Sequence, residues 1–301
     1  MTQPRRISLA CLSLLLIASL AGAEGEPLRY RFKEGEKLRY VTEVKTTVEL
    51  QGLGEPEKFD TVQVCEATWE VTKVDKDGRA AVTATMDRLR LTLDSPIFGK
   101  MEYDTKGGKE PDEEFFKRMA GTLKALAGGQ VMLTIDPQGQ VSDINLSDQV
   151  TKVVNGRPGP NADALSHDLL RGLTGELLPL PKGETKKGES WRSKCELTSP
   201  LGKVAVESKF TDEGSAERGG RRVQKVSIKE TGTIDPKTVP EGEKATLGDS
   251  VGTASFDRTA GRLLERKETE TLETERKLGD KTVTKKFKIV RTMKLLESEK
   301  P

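Results

Sequence analysis

"LRYVTEVKTTVEL" (residues 38–50) decides the fold class. Leu38, Tyr40, Thr42, Val44, Thr46, Val48 and Leu50 fall on one side of an extended chain, with Arg39, Glu43, Lys45, Thr47 and Glu49 on the other. A period of two sustained this long specifies a strand with one buried and one wet face, the habit of antiparallel sheets. Such a strand reaches about 40 Å, well beyond the usual length of about 5–6 residues. Gly52-Leu53-Gly54-Glu55-Pro56 turns the chain, and a second strand from about Phe59 to Val74 carries Cys65, Ala67, Trp69 and Val71 on one face. "DKDGR" (75–79) closes a hairpin, with Gly78 free to take positive φ. In the third strand, Arg79 to Leu93, the apolar phase changes near Asp87, which predicts a β-bulge or bend.

Helical spacing replaces alternation after residue 110. Pro111 with Asp112, Glu113 and Glu114 reads as a first turn, followed by a stripe of Phe115, Met119, Leu123 and Leu126 that Gly128-Gly129 stops. This predicts a helix over about 111–127. A second is expected from Ala162 to Leu178, with Leu165, Leu169, Leu173 and Leu177 on one side. Its Gly172 and Gly175 each weaken it by up to about 1 kcal/mol relative to alanine, so it needs packing to persist. A hairpin, "VMLTIDPQGQVSDI" (131–144), lies between the two, and strands resume after Pro181.

The order of signals occurs twice. "EGEKLR" (34–39) and "KGESWR" (187–192) each open a long strand, the second placing Trp191, Ser193, Cys195 and Leu197 on one face. A Gly-Arg hairpin follows in each half, at Gly78-Arg79 and at Gly220-Arg221. An apolar-Asp-turn-Gly segment follows that, "IDPQGQV" (135–141) and "FDRTAGRL" (256–263). The sequence thus predicts a mainly β fold: two pseudo-repeated lobes of long, curved antiparallel strands, half-barrel or sandwich-like, with two helices between them. The expected units are a signal peptide (1–23), an N-terminal β-lobe (24–146), a helical connector (147–182) and a C-terminal β-lobe (183–301). With "FKEGEKLRY" (32–40) and the "IDPQGQV" hairpin, the chain resembles an uncharacterised family of secreted bacterial proteins, classed as a domain of unknown function. That resemblance implies export and a β-rich fold, and no activity.

The N-terminal segment supports export by its own chemistry. Arg5 and Arg6 precede an apolar run from Ile7 to Leu20, and Ala21-Gly22-Ala23 offers the small side chains a signal peptidase requires. Cleavage near Ala23 would deliver the protein to the periplasm or the exterior. No later stretch reaches 18 apolar residues, so no transmembrane span is expected in the mature chain. Without Arg5 and Arg6 the 50 basic residues become 48, equal to the 48 acidic ones. Unsegregated charge and only 4% aromatic residues give no footprint for nucleic acid.

No catalytic constellation stands out. The single histidine, His167, lies in "SHD" (166–168), but adjacent helical residues point about 100° apart and do not converge on one proton path. One histidine and two mature cysteines assemble no usual zinc site, and no glycine loop cradles a phosphate, so neither metal nor cofactor is expected. The charged run "ERKETETLETERK" (265–277) reads as a strand wet on both sides, and Trp69 and Trp191 as core. Cys65 and Cys195 are both in phase with apolar neighbours; export permits a disulfide between them, and a buried thiol is the alternative. The expected function is non-catalytic binding of an apolar or lipid-like ligand on a curved sheet. Tyr40, Val44 and Val48 would line one side of that site, and Leu165, Leu169, Leu173 and Leu177 the other. Two alternatives stand beside it: an envelope module that binds another protein and no small molecule, and a carboxylate-based hydrolase.

Overall fold

Alternating burial marks the core-covered stretches of the long strands in a computed structural model that describes residues 26–96, 99–155, 177–199 and 202–296. The expected signal segment, His167, and Leu165, Leu169 and Leu173 of the expected second helix lie outside the described residues. In chain order the elements are β1 (Lys37–Gln51), β2 (Glu57–Val74), β3 (Ala80–Ser95), β4 (Gly99–Asp104), α1 (Glu114–Leu126), β5 (Gln130–Ile135), β6 (Val141–Leu146) and α2 (Asp148–Asn155). They continue as β7 (Ser190–Ser199), β8 (Gly202–Arg218), β9 (Arg221–Ile234), β10 (Glu243–Leu247), β11 (Ser250–Asp257), β12 (Arg262–Leu278) and β13 (Lys281–Leu296).

All 13 strands belong to one antiparallel sheet in the order β6-β5-β3-β2-β1-β13-β12-β11-β9-β8-β7, with β4 on β3 and β10 on β12. The path is open, with β6 and β7 at its ends. Strands before α2 make one side of the sheet and strands after it the other, and β1 joins them by pairing with β13 over Arg39↔Leu296 to Gln51↔Thr284. The sheet is thus continuous across the two halves of the sequence.

The repeated motifs occupy matching places. Gly35 (φ 78°) donates its N–H to Val71 O, and Val71 returns its own to Glu36 O, at 2.8 and 2.9 Å. Gly188 (φ 89°) and Glu189 make the same pair with Asp212, at 2.7 and 2.9 Å. In both turns the glutamate side chain accepts a backbone N–H three residues back, from Lys33 and from Lys186. Just past each contact the pairing slips, between Val71 and Lys73 in β2 and between Asp212 and Gly214 in β8. Followed through the registers, Val71, Val82 and Ile135 correspond to Asp212, Val226 and Phe256. The Asp136 and Asp257 side chains then cap equivalent turns by accepting Gln138 and Gln140 N–H, and Ala260 N–H.

The bulge expected near Asp87 is present. Ala67 pairs with Met86 and Glu66 with Arg88, leaving Asp87 as the extra residue, which accepts Thr68 Oγ1 at 2.6 Å. It lets Ala84 and Met86 on one side, and Leu89 and Leu91 on the other, all reach the core. α1 is rotated from its expected stripe. Phe116 is buried with Ala120 and Leu123, whereas Phe115 is 41% exposed. Helix residues three and four apart share a face, and Phe116–Ala120–Leu123 seats a small residue at the centre of the contact. α1 packs on α2, whose Val150 is buried. The extended N-terminal segment adds Leu28 and Tyr30 to the same core, with the Tyr30 ring edge-on to Phe256 at 5.1 Å.

The paired turns make a quantitative prediction. A Cβ at Gly35 or Gly188 would meet nothing within 4 Å, so alanine costs only the left-handed backbone, about 1–2 kcal/mol at each. Gly139→Ala should cost more, because a Cβ there stands 2.5 Å from the Tyr30 ring and 2.8 Å from Leu178 O. Urea unfolding of the three variants checks this; a much larger loss at Gly188 than at Gly35 would contradict the equivalence of the turns.

Candidate functional site

One face of the sheet carries the core, and burial changes along it. Directly paired residues of neighbouring strands point the same way, so the registers define rows that cross the strands. The first row includes Trp69, Leu38 and, one pleat further, Ala67, Tyr40 and Leu295. Trp69 and Tyr40 are buried with their ring centroids 5.1 Å apart, and Tyr40 Oη donates to Leu263 O at 3.2 Å. Burial raises the phenol of Tyr40 well above its ordinary range.

Next comes a polar belt. Arg266 and Glu268 in β12, Arg291 in β13, Glu230 in β9 and Ser208 in β8 are all buried on this face. Arg266 donates from Nε and Nη2 to Glu268 Oε1 at 2.9 and 2.6 Å, and from Nη2 to Glu230 Oε1 at 3.4 Å. Ser208 Oγ donates to the same Glu230 oxygen at 2.7 Å. Arg291 pairs with Glu270 at 2.5 Å. The run 265–277 is therefore not wet on both sides, as its composition predicts. Alternation places Arg266, Glu268 and Glu270 on the core face, and mutual pairing is what makes their burial tolerable.

Beyond the belt the same face turns apolar again. Phe59 in β2, Val48 in β1, Phe287 in β13, Leu272 in β12 and Leu247 in β10 are linked by direct pairings into one row across five strands. All five are half-buried, whereas Val44, Tyr40 and Leu38 nearer the core are buried. Ile289 and Thr46 separate this strip from Arg291. The strip spans four strand spacings, about 19 Å.

Of the residues expected to face a ligand, Val48 lies in the strip, Val44 stands beside Arg291, and Tyr40 is core against Trp69. Leu177 is buried, and its carbonyl accepts Arg266 Nη1 at 2.9 Å. It opens a strap, Leu177–Lys182, held from several sides. Tyr30 Oη accepts Leu178 N–H at 3.0 Å, Trp191 Nε1 donates to Pro179 O at 2.8 Å, and Arg29 donates to Pro181 O at 2.7 Å. Leu180 N–H also bonds to Gln138 O at 2.7 Å. Of the connector's described residues, the start is thus α2, and Leu177–Lys182 is an irregular strap tied to the sheet by side chains of both halves.

The cysteines do not join. Cys65 is a buried thiol that burial, with Asp87 and Glu66 nearby, pushes up to about 12, while Cys195 is exposed on β7. β2 and β7 are separated by β1, β13, β12, β11, β9 and β8, so the bridge that spacing left open is absent; Cys195 keeps the phase of Trp191 on β7 but is not buried. In the repeat register, Cys195 corresponds to Thr42 rather than to Cys65. Among the described residues no three His, Cys, Asp or Glu side chains are grouped to hold a metal ion, and no helix is long and apolar enough to cross a membrane.

No family model matches the chain, and no curated protein matches it. Among solved structures, lipovitellin, in a study of lipid–protein interactions, aligns over 88% of this chain at 12% identity and a TM-score of 0.49. The chain spans only 25% of the lipovitellin chain. An outer membrane channel from Pseudomonas putida F1 aligns over 89% of this chain and 97% of its own at 7% identity and a TM-score of 0.24. A DUF1329 family protein from Desulfovibrio piger aligns over 86% and 87% at 8% identity and a TM-score of 0.16. At these identities and scores none carries a functional argument for this chain.

The belt can be tested as a unit. Arg266→Met removes the buried guanidinium that Glu268 and Glu230 share and should cost about 3–5 kcal/mol. Adding Glu230→Gln and Glu268→Gln should restore most of that loss, since the penalty lies in buried carboxylates that have lost Arg266. Urea denaturation of both variants decides; a triple variant no more stable than Arg266→Met alone would show that the belt is not one charge network.

Proposed function

We propose that this is an exported, non-catalytic protein of the cell envelope that binds an apolar, lipid-like ligand on the core face of its sheet. The reading rests on one observation: the row Phe59–Val48–Phe287–Leu272–Leu247 stays half-exposed although each member lies on the face that is buried elsewhere. A strip about 19 Å long and one side chain wide suits an extended hydrocarbon chain better than a compact ring. Beside it the belt of Arg291, Glu270, Arg266 and Glu268 provides a polar border where a head group could not be followed by further apolar contact. Within the belt the carboxylates are held by guanidinium groups and shielded from water, which suits a structural role better than acid–base catalysis.

A second reading is favoured by the open sheet edge. β7 runs ten residues at the end of the sheet, and Ser190 to Glu196 are exposed or half-exposed, so a partner chain could add a strand there. The two readings separate on the face they use.

Uptake of a fluorescent fatty-acyl probe tests the first. The native protein should bind it, and Val48→Asp with Phe287→Asp should weaken binding at least tenfold while the far-ultraviolet β signal persists, because both side chains are already partly solvated. No uptake by the native protein, or undiminished uptake by the variant, overturns the reading.

A further inference from the structure

The two ends of the sheet are built differently. β6 is a protected edge: it is six residues long, its pairing with β5 slips between Met132 and Thr134, and Asp143 takes a positive φ of 51° within it. β7 runs ten residues and pairs with β8 in unbroken register from Ser190↔Thr211 to Ser199↔Gly202. Asp212 donates its N–H to Glu189 O at 2.9 Å just before that register begins. Bonded and non-bonded pairs alternate along an antiparallel ladder. Trp191, Ser193 and Cys195 therefore bond inward to β8, whereas Ser190, Arg192, Lys194, Glu196 and Thr198 hold their N–H and C=O groups at the open edge. The Ser190 and Thr211 hydroxyls, 2.9 Å apart, fit this phase, since side chains approach most closely across a non-bonded pair.

The charges of this edge are complementary to themselves in one register. A two-fold axis perpendicular to the sheet sets β7 antiparallel to β7 of a second copy and keeps both core faces on the same side. Centred on Cys195, the axis places Lys194 opposite Glu196 of the second copy and Glu196 opposite its Lys194, each as a bonded pair. Arg192 then stands opposite neutral Thr198. Moving the axis to Lys194 or to Glu196 opposes two lysines or two glutamates, and moving it to Ser193 opposes Arg192 to Lys194; like charges directly opposed are destabilising. Within one copy Arg192 and Lys194 share the single carboxylate of Glu207, at 2.6 and 3.1 Å, and Glu196 is exposed. A second copy supplies Lys194 with another carboxylate and Glu196 with a cation.

We propose that two copies of this chain join through β7, antiparallel and centred on Cys195, so that one sheet runs through both. The proposal rests on the reading that β7 accepts an added strand, and it names that strand. Roughly eight main-chain hydrogen bonds close the two edges, and the Lys194–Glu196 pairs select partner and register. Cys195 falls in a non-bonded pair on the axis, with Cα atoms about 4.5 Å apart. That distance suits a disulfide, so the thiol reports the register.

Sedimentation equilibrium of the full-length protein under reducing conditions tests the association. The comparison set is native protein, Lys194→Glu, Glu196→Lys and an equimolar mixture of the two variants. Native protein should dimerise reversibly with concentration, and each variant alone should self-associate about tenfold or more weakly, because like charges then oppose in both pairs. The mixture should regain most of the native strength, since every lysine again meets a glutamate. Both substitutions alter exposed side chains, and unchanged circular dichroism separates lost association from lost folding. Copper-catalysed oxidation by dioxygen, which takes two electrons and two protons from a pair of thiols, should link Cys195 to Cys195 in the native dimer. Native protein that stays monomeric, variants that dimerise as the native protein does, a mixture that does not recover, or a dimer without the Cys195 link overturns the proposal. Hydrogen exchange of a monomeric native protein distinguishes two failures. Fast exchange at Arg192, Lys194 and Glu196 leaves strand addition by a different partner standing, and slow exchange there shows an edge already covered and removes that reading as well.

Discussion

The pairing of β1 with β13 holds the rest of the molecule in place. It joins the earliest long strand to the last, through 13 consecutive residue pairs from Arg39↔Leu296 to Gln51↔Thr284. Without it each half of the sheet would end in a long unpaired edge, with main-chain donors and acceptors to satisfy and the core face divided. The seam brings Thr42 beside Met293, Val44 beside Arg291 and Val48 beside Phe287, so core, belt and strip all cross it. Its contacts link residues more than 200 positions apart, so closure of that long loop is an entropic cost the seam must offset late in folding.

From the seam outward, the burial gradient follows from supply. The chain is 34% hydrophobic and 33% charged, too little apolar material to cover both faces of strands up to 18 residues long. Helices α1 and α2, the N-terminal segment and the Leu177–Lys182 strap supply cover near one end. Charge pairing stabilises the intermediate belt, where arginine offers several donors in a fixed fork and each carboxylate can be shared. Past the belt, apolar side chains remain on the face with less to cover them. The same shortage explains why the second half replaces the buried Val71 by Asp212, which is buried but satisfied by Thr185 Oγ1, Gly214 N–H and Gln224.

Alternation made the strands legible because each has one buried face, and a period of two then reports the face without knowledge of the partner. Turn chemistry was equally readable: Gly35 and Gly188, Asp136 and Asp257 sit where the repeated motifs placed them. Partner choice was not readable. Nothing in the periodicity of β1 says that its second neighbour is β13, so two lobes and one continuous sheet predict the same pattern. The belt was missed for a related reason. Glu, Lys and Thr in 265–277 look wet by composition, and only the register shows Arg266 and Glu268 facing Met293 and Arg291. Cys195 misled by phase: β7 is an edge strand, and an in-phase residue there has fewer neighbours to bury it. Phe115 gave way to Phe116 because two adjacent phenylalanines offer two helix faces, and the contact selects one.

Hydrogen–deuterium exchange across the seam tests the central claim that the two halves form one sheet. Peptides covering 39–51 and 284–296 should exchange as slowly as the β2–β3 pair, and more slowly than the edge strands β6 and β7. Exchange of either seam segment at the rate of an edge strand, with β2 and β3 still protected, would contradict the account.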